Sequence, residues 1–83
     1  MHITVRYFAS IREAMGTGSE ELQTSATTVG ALREELMARS VAAAAALAAG
    51  KAVRMALNQE MCQSDAPLKA GDEVAFFPPV TGG

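Results

Sequence analysis

The sequence ends in EVAFFPPVTGG, residues 73–83, and this stretch decides the fold. Its first part, Glu73–Phe77, is apolar after the glutamate, which predicts a largely buried β-strand. Pro78 and Pro79 end that strand, because proline has no N–H to donate to a neighbouring strand. Two consecutive prolines also hold the backbone extended. The stretch therefore predicts a last strand that leads into an extended tail over residues 78–83.

The tail closes with two glycines. Gly82 and Gly83 have no side chains, so a narrow channel or another protein's backbone could close around them. At ~3.3 Å per residue, residues 78–83 could reach ~18–20 Å from the sheet. We expect the chain to divide into a compact domain over residues 1–77 and this tail, with the carboxylate of Gly83 as its free end.

Length and charge limit what the domain can be. A chain of 83 residues has room for a single hydrophobic core. Its net charge is −2, with no basic stripe, which argues against nucleic acid as a partner. No signal peptide or membrane-length apolar run is visible, and a single cysteine is typical of a reduced compartment. We expect a cytoplasmic protein that does not engage a membrane.

The N-terminal segment alternates in polarity with the period of two that is typical of a half-buried strand. Residues 20–24 predict a second strand, paired with the first as a hairpin, with a short loop or a single helical turn at residues 11–15. In the first strand the core-facing side chains are expected to be Ile3, Val5 and Tyr7, and those on the opposite face Thr4, Arg6 and Phe8.

A main helix is predicted after Thr27 or Thr28, either of which can cap its first turn. Glu35 and Arg39 have the i,i+4 spacing of a stabilising ion pair on that helix. The alanine-rich residues 40–49 predict a second short helix or a broken continuation of the first. The apolar side chains of the main helix recur at helical spacing, at Val29, Leu32 and Leu36.

Two further strands are predicted before the last one. Residues 51–57 form the first, and Met61 and Cys62 start a short one after a turn. With the last strand, the order becomes strand, strand, helix, strand, short strand, strand. We therefore predict an α+β fold, in which the main helix covers one face of a mixed sheet of four to five strands.

The other face of that sheet has no helical layer left to cover it. Phe8 and Phe77 fall on this face and are expected to be partly exposed, with Met61 near them. An exposed apolar patch beside polar residues often marks a partner surface. The alternative is that the alanine-rich segment or a loop folds over these side chains.

Other chemistry-bearing residues give weaker signals. Cys62, next to a short strand, is better read as a small core residue than as a nucleophile. His2 has no Cys or His partner at metal-ligand spacing, so no metal site is predicted. No glycine-rich phosphate loop precedes a helix. The chain alone is therefore not expected to be an enzyme.

The whole chain resembles the small, sulfur-carrying subunits of molybdopterin synthase, which have the β-grasp fold of ubiquitin. The C-terminal stretch is the most specific match, and the alanine-rich segment is the weakest. The matching residues are Val5 to Ala9 with Arg12 and Glu13, Thr28 and Val29 with Leu32, Asn58 and Gln59, and residues 71–83.

The resemblance implies that an activating enzyme uses ATP to adenylate Gly83, and that a sulfurtransferase donor then leaves a thiocarboxylate there. The tail would thread into the large subunit, where its sulfur attacks a pterin precursor during molybdenum cofactor biosynthesis. The implied assembly is a heterotetramer of two small and two large subunits. The chain itself would bind no cofactor.

The resemblance also assigns roles to single residues. Gly83 would carry the sulfur, and Gly82 would permit threading. Arg12 would either pair with a partner's carboxylate or remain solvated in a loop. The docking surface would consist of Phe8, Met61 and Phe77, and the residues that hold the tail extended would be Pro78, Pro79, Val80 and Thr81.

Three other functions stay open. Sulfur carriers of thiamine, tRNA-thiolation and cysteine pathways share the fold and the two glycines. A ubiquitin-like modifier would instead be joined to lysines through Gly83. A plain binding module would have an inert tail.

Overall fold

A computed structural model describes residues 1–48 and 52–79 of the chain. This described part contains five strands and three helices. None of its helices has the length and apolar character needed to cross a membrane. In chain order the elements are β1 (His2–Tyr7), α1 (Ala9–Met15), β2 (Ser19–Gln23), α2 (Val29–Arg39), α3 (Val41–Ala46), β3 (Arg54–Leu57), β4 (Glu60–Cys62) and β5 (Glu73–Phe77).

The strands form one mixed sheet in the order β2-β1-β5-β3-β4. β1 and β5 are parallel, with Val5 opposite Val74, and the other neighbouring pairs are antiparallel. The predicted hairpin of the first two strands is confirmed, as is the α+β fold. Because β5 is the central strand, the chain leaves the sheet from its middle after Phe77.

The hydrophobic core lies between this sheet and α2. The inward rows of β1 and β5 meet the apolar stripe of α2, as the periodicity predicts. Burying this surface is the main force that stabilises so small a domain. The fully or almost fully buried side chains include Ile3, Val5, Tyr7, Val29, Leu32, Leu36, Val74 and Phe76.

Two hydroxyl caps set the helix boundaries. The Thr28 side chain accepts a hydrogen bond from the Ala31 N–H at 3.1 Å and starts α2. Ser40 is extended, which ends α2, and its hydroxyl accepts from the Ala43 N–H at 3.0 Å to start α3. The alanine-rich segment therefore forms a separate helix. Ala49, the last residue of the predicted segment, lies outside the described residues.

Two local predictions are wrong. Glu35 and Arg39 do not pair with each other: the Arg39 guanidinium lies 3.0 Å from a Glu20 oxygen, and Glu35 accepts from the Thr24 hydroxyl at 2.8 Å. Partners from β2 and the loop after it are available, and an i,i+4 pair contributes only about 0.2–0.5 kcal/mol. The segment predicted as a loop or single turn is a seven-residue helix, Ala9–Met15.

Candidate functional site

Phe8 and Phe77 are held together by the parallel pairing of β1 and β5. Phe8 follows β1 directly, and its N–H donates to the Phe76 carbonyl at 3.2 Å. The Phe8 and Phe77 rings meet edge to face, with centroids 6.3 Å apart. Phe8 is 42% exposed and Phe77 is half-buried. The predicted partial exposure of both rings is confirmed.

Met61 extends this surface across the sheet. It pairs with Ala56 on β3, and Ala56 pairs with Ala75 on β5, so all three lie in one cross-strand row. The side chains of the two alanines are short, so the surface between Phe77 and Met61, which is 57% exposed, is shallow. We call the surface formed by Phe8, Ala56, Met61, Ala75 and Phe77 the apolar face.

The described part of the alanine-rich segment does not cover the apolar face. Helix α3 packs against α1 and α2, on the opposite side of the sheet. Ala43 and Leu47 are buried there. Arg33 fixes this position, because its guanidinium donates to the carbonyls of Leu47 and Ala48 at 2.7 and 2.9 Å. Helix α3 therefore leaves Phe8 and Met61 of the apolar face exposed, and Phe77 is half-buried.

Two arginines border the apolar face. The Arg6 Cζ lies 5.6 Å from the centroid of the Phe8 ring, a cation–π arrangement. Arg54 is exposed and lies directly opposite Phe77 in the β3–β5 register. Sequence reasoning missed Arg54, because only the strand pairing, which alternation within one strand does not reveal, places it beside Phe77.

The base of the tail rests beside two helices. Pro78 and Pro79 are half-buried and line an apolar cleft with residues of α1 and α3, among them Ile11, Ala14 and Ala46. Val80, Thr81, Gly82 and Gly83 lie outside the described residues, so their roles remain predictions, as does the division of the chain at residue 77.

Arg12 lies in α1 and not in a loop. Its guanidinium packs against Gly18. A side chain at residue 18 would place its Cβ 3.1 Å from the Arg12 Nε. The side chain is exposed at the end of the sheet that carries Phe8. Of the two readings of Arg12, contact with a partner and simple solvation, the geometry allows both.

Cys62 is half-buried and packs against the core cluster. Burial, and secondarily the nearby Asp65 carboxylate, raise the pKa of its thiol. The thiolate is the reactive form, so Cys62 is a poor nucleophile near neutral pH. His2 lies 3.0 Å from Glu21. Over residues 1–48 and 52–79, no three His, Cys, Asp or Glu side chains cluster to hold a metal ion.

Sequence comparison places the chain among known proteins. Residues 5–83 match the ThiS family. The chain is 49% identical to the molybdopterin synthase sulfur carrier subunit of Escherichia coli K12, over 98% of the chain and 99% of that protein. It is 41% identical to the protein of the same name from Haemophilus influenzae, with the same coverage.

Solved structures share the fold. A chain in the complex of subunits 1 and 2 of the molybdopterin-converting factor from Helicobacter pylori 26695 matches with a TM-score of 0.67 and 28% identity, over the full length of both chains. The crystal structure of SAMP1 from Haloferax volcanii matches with a TM-score of 0.76 and 27% identity, also over both full lengths.

Proposed function

The chain belongs to the ThiS family, and from this premise we propose that it is the sulfur carrier subunit of a molybdopterin synthase. The observation that carries the proposal is the 49% identity, over 98% of the chain, to the E. coli protein of that name. In this proposal the sulfur is held as a thiocarboxylate at Gly83.

The chemistry requires activation first, because a carboxylate is a poor electrophile and contains no sulfur. A carboxylate oxygen of Gly83 attacks the α-phosphorus of ATP in the activating enzyme and releases pyrophosphate. The terminal sulfur of a persulfide on a donor protein then attacks the acyl carbon, and AMP leaves. A second thiol cleaves the resulting acyl disulfide, forms a disulfide with the donor sulfur and releases the thiocarboxylate. The resulting thiocarboxylate has an ionised sulfur, which is a stronger nucleophile than a carboxylate oxygen.

The geometry supports delivery of that sulfur to another protein. The tail follows the central strand, and Pro78 and Pro79 restrict its direction. The apolar face lies next to the point where it leaves. The large subunit of the synthase docks on Phe8, Met61 and Phe77 and takes up residues 80–83. The H. pylori complex of subunits 1 and 2 supports this partner.

Catalysis in this proposal belongs to the partners. The activating enzyme performs the adenylation, and the large subunit binds the pterin precursor that the sulfur attacks. The chain contributes the docking surface and the reactive end, and it binds no cofactor of its own. In this proposal the assembly is a heterotetramer, and it works in the cytoplasm, where the activating enzyme has access to ATP.

A truncation tests the proposal directly. Purified chain is incubated with the activating enzyme, ATP and a sulfur donor, and then with the large subunit and the pterin precursor. Full-length chain should convert the pterin precursor to a dithiolene, the product that carries two transferred sulfurs. A variant lacking Gly82 and Gly83 should yield none, although it keeps the folded domain. Equal product from both would show that the tail is inert.

A second candidate function is that of a protein modifier. The structural likeness to SAMP1, a small archaeal modifier protein, favours it. A modifier would appear in cell lysates as higher-mass covalent adducts that depend on Gly83. Rescue of a strain lacking molybdenum cofactor separates carriers for thiamine, tRNA or cysteine pathways from the first proposal.

A further inference from the structure

Arg6 is tied to the apolar face by its contact with Phe8. With the guanidinium 5.6 Å from the ring centroid, a partner that covers the ring must also cover much of the guanidinium. Its nearest carboxylate is Glu73, at 3.9 Å, which is long for a charge-assisted hydrogen bond. Arg6 therefore enters any docked complex with most of its hydrogen-bonding capacity unused.

Arg54 occupies the other side of the same surface. It is opposite Phe77 in the sheet and shares a cleft with Met61 on β4. Within the described ranges, its side chain makes neither a hydrogen bond nor a salt bridge. The two arginines thus lie on either side of the Phe77 strand, and both remain exposed.

The charges of the outer sheet surface are unevenly distributed along the strands. The end from which the tail leaves carries Arg6 and Arg54. Carboxylates lie further toward the opposite end, where Glu73 is 3.9 Å from Arg6, Glu21 pairs with His2, and Asp72 accepts from the Lys69 N–H. The chain as a whole has a net charge of −2, so the cationic character of the tail end is local.

A desolvated guanidinium without an acceptor opposes binding, because burial of an unpaired charge is costly. A partner with a purely apolar docking surface would bury Arg6 with only the long contact to Glu73, at 3.9 Å, and the Phe8 ring to offset its charge. Carboxylates placed opposite the two arginines would instead form charge-assisted hydrogen bonds and orient the partner. The charge pattern therefore specifies the chemistry of the partner surface.

We propose that Arg6 and Arg54 are specificity-determining residues that pair with carboxylates bordering an apolar pocket on the large subunit. The inference rests on the proposed function. The large subunit is favoured as the occupant because a similar chain occurs in a complex of subunits 1 and 2 of the molybdopterin-converting factor. The activating enzyme is the other occupant that the test distinguishes.

Three single charge reversals test this. Arg6→Glu and Arg54→Glu alter the border of the apolar face. Lys69→Glu is the matched control, since it causes the same change in net charge at the exposed turn before β5, at the opposite end of the sheet. Arg54→Glu removes no side-chain hydrogen bond or salt bridge among the described residues, so it keeps the test valid if Arg6→Glu impairs folding.

Binding to the purified large subunit and to the activating enzyme is measured by calorimetry at low and high salt. Arg6→Glu and Arg54→Glu should each raise the Kd for the large subunit by about 10-fold or more. They should also make the Kd for the large subunit depend less on salt. The Kd of Lys69→Glu should stay within about twofold of the wild-type value. Arg6→Lys and Arg54→Lys, which keep the charge, should retain most of the affinity.

Reversals that bind the large subunit as well as Lys69→Glu does would overturn the inference and leave the proposed function intact. Weaker binding to the activating enzyme alone would also overturn it. Wild-type chain that neither binds the large subunit nor acquires sulfur would instead overturn the proposed function, and this inference with it.

Discussion

The rings of Phe8 and Phe77 are in edge-to-face contact, with centroids 6.3 Å apart, although 69 positions separate them in the sequence. Phe8 immediately precedes α1, and Phe77 immediately precedes Pro78. The contact therefore joins the exposed apolar face to the root of the tail. A partner that grips this pair of rings is positioned to receive the residues that follow.

Phe8→Ala should separate docking from stability. Because Phe8 is 42% exposed, its loss should lower the free energy of unfolding by no more than about 1.5 kcal/mol. Affinity for the large subunit should fall about tenfold or more, as for a central interface aromatic. Val41→Ala is the control, since Val41 is an 87% exposed apolar residue on α3. Equal affinity of the two variants would remove Phe8 from the docking surface.

Gly30→Ala should destabilise the domain, against helix propensity. Alanine is favoured over glycine in a helix by up to about 1 kcal/mol. A Cβ at residue 30, however, would lie 2.9 Å from the Ser64 carbonyl oxygen, to which the Gly30 N–H donates at 2.7 Å. Overpacking of this kind costs about 1–3 kcal/mol.

Urea denaturation measures this effect, with Ala31→Gly as the neighbouring control. Ala31 is exposed, so its replacement should destabilise by propensity alone. Both substitutions should therefore lower the free energy of unfolding, although one replaces glycine by alanine and the other alanine by glycine. A more stable Gly30→Ala protein would show that the helix start and the Ser64 loop are not packed as described.

The Gly30 contact illustrates what the sequence could and could not predict. The strand and helix periodicities depend on local polarity, so the core rows and the bounds of β5 were predictable. A threonine cap at residue 27 or 28 was predictable from the hydroxyl side chains, and the structure selects Thr28. The close approach of Gly30 to Ser64 joins distant segments, and the sequence shows only an unfavourable glycine in a helix.

The site divides in the same way. Alternation placed Phe8 and Phe77 on the outer face with Met61 near them, and the family resemblance assigned the same three residues to a docking surface. The position of Arg54 opposite Phe77 depends on the antiparallel register of β3 and β5. The pairing of Arg39 with Glu20, in place of Glu35, depends on how α2 lies against β2. Strand order and helix docking are tertiary properties that local patterns do not encode.

Acidification should weaken the link between the β3–β4 turn and β5. The Asp72 carboxylate accepts two hydrogen bonds, one from the Asn58 amide at 3.0 Å and one from the Lys69 backbone N–H at 2.8 Å. These hydrogen bonds lower the pKa of the Asp72 carboxyl below its ordinary 3.8. A lowered pKa gives stability that is present above 3.8 and is lost as the pH falls through the folded-state pKa.

Asp72→Asn removes this titration. Urea unfolding of both proteins at about pH 6 and about pH 2.5 should show a smaller loss of stability on acidification for the variant. Since Asp72 is largely exposed, we expect a modest difference. The same pH dependence in both proteins would mean that these hydrogen bonds do not favour the charged carboxylate.

Cys62→Ser should leave sulfur transfer intact. The raised pKa keeps the thiol protonated near neutral pH, and the side chain packs beside the core. We expect product formation with the large subunit within about twofold of the wild type, with at most a small loss of stability. Loss of transfer without loss of folding would place the sulfur on Cys62 and not on the tail.

The measurement that tests the central claim most directly is the intact mass of the chain after incubation with the activating enzyme, ATP and a sulfur donor. The account predicts a gain equal to the mass difference between sulfur and oxygen, located at Gly83 by fragmentation and retained in Cys62→Ser. Addition of a whole sulfur atom at Cys62, or an unchanged mass at Gly83, would contradict it.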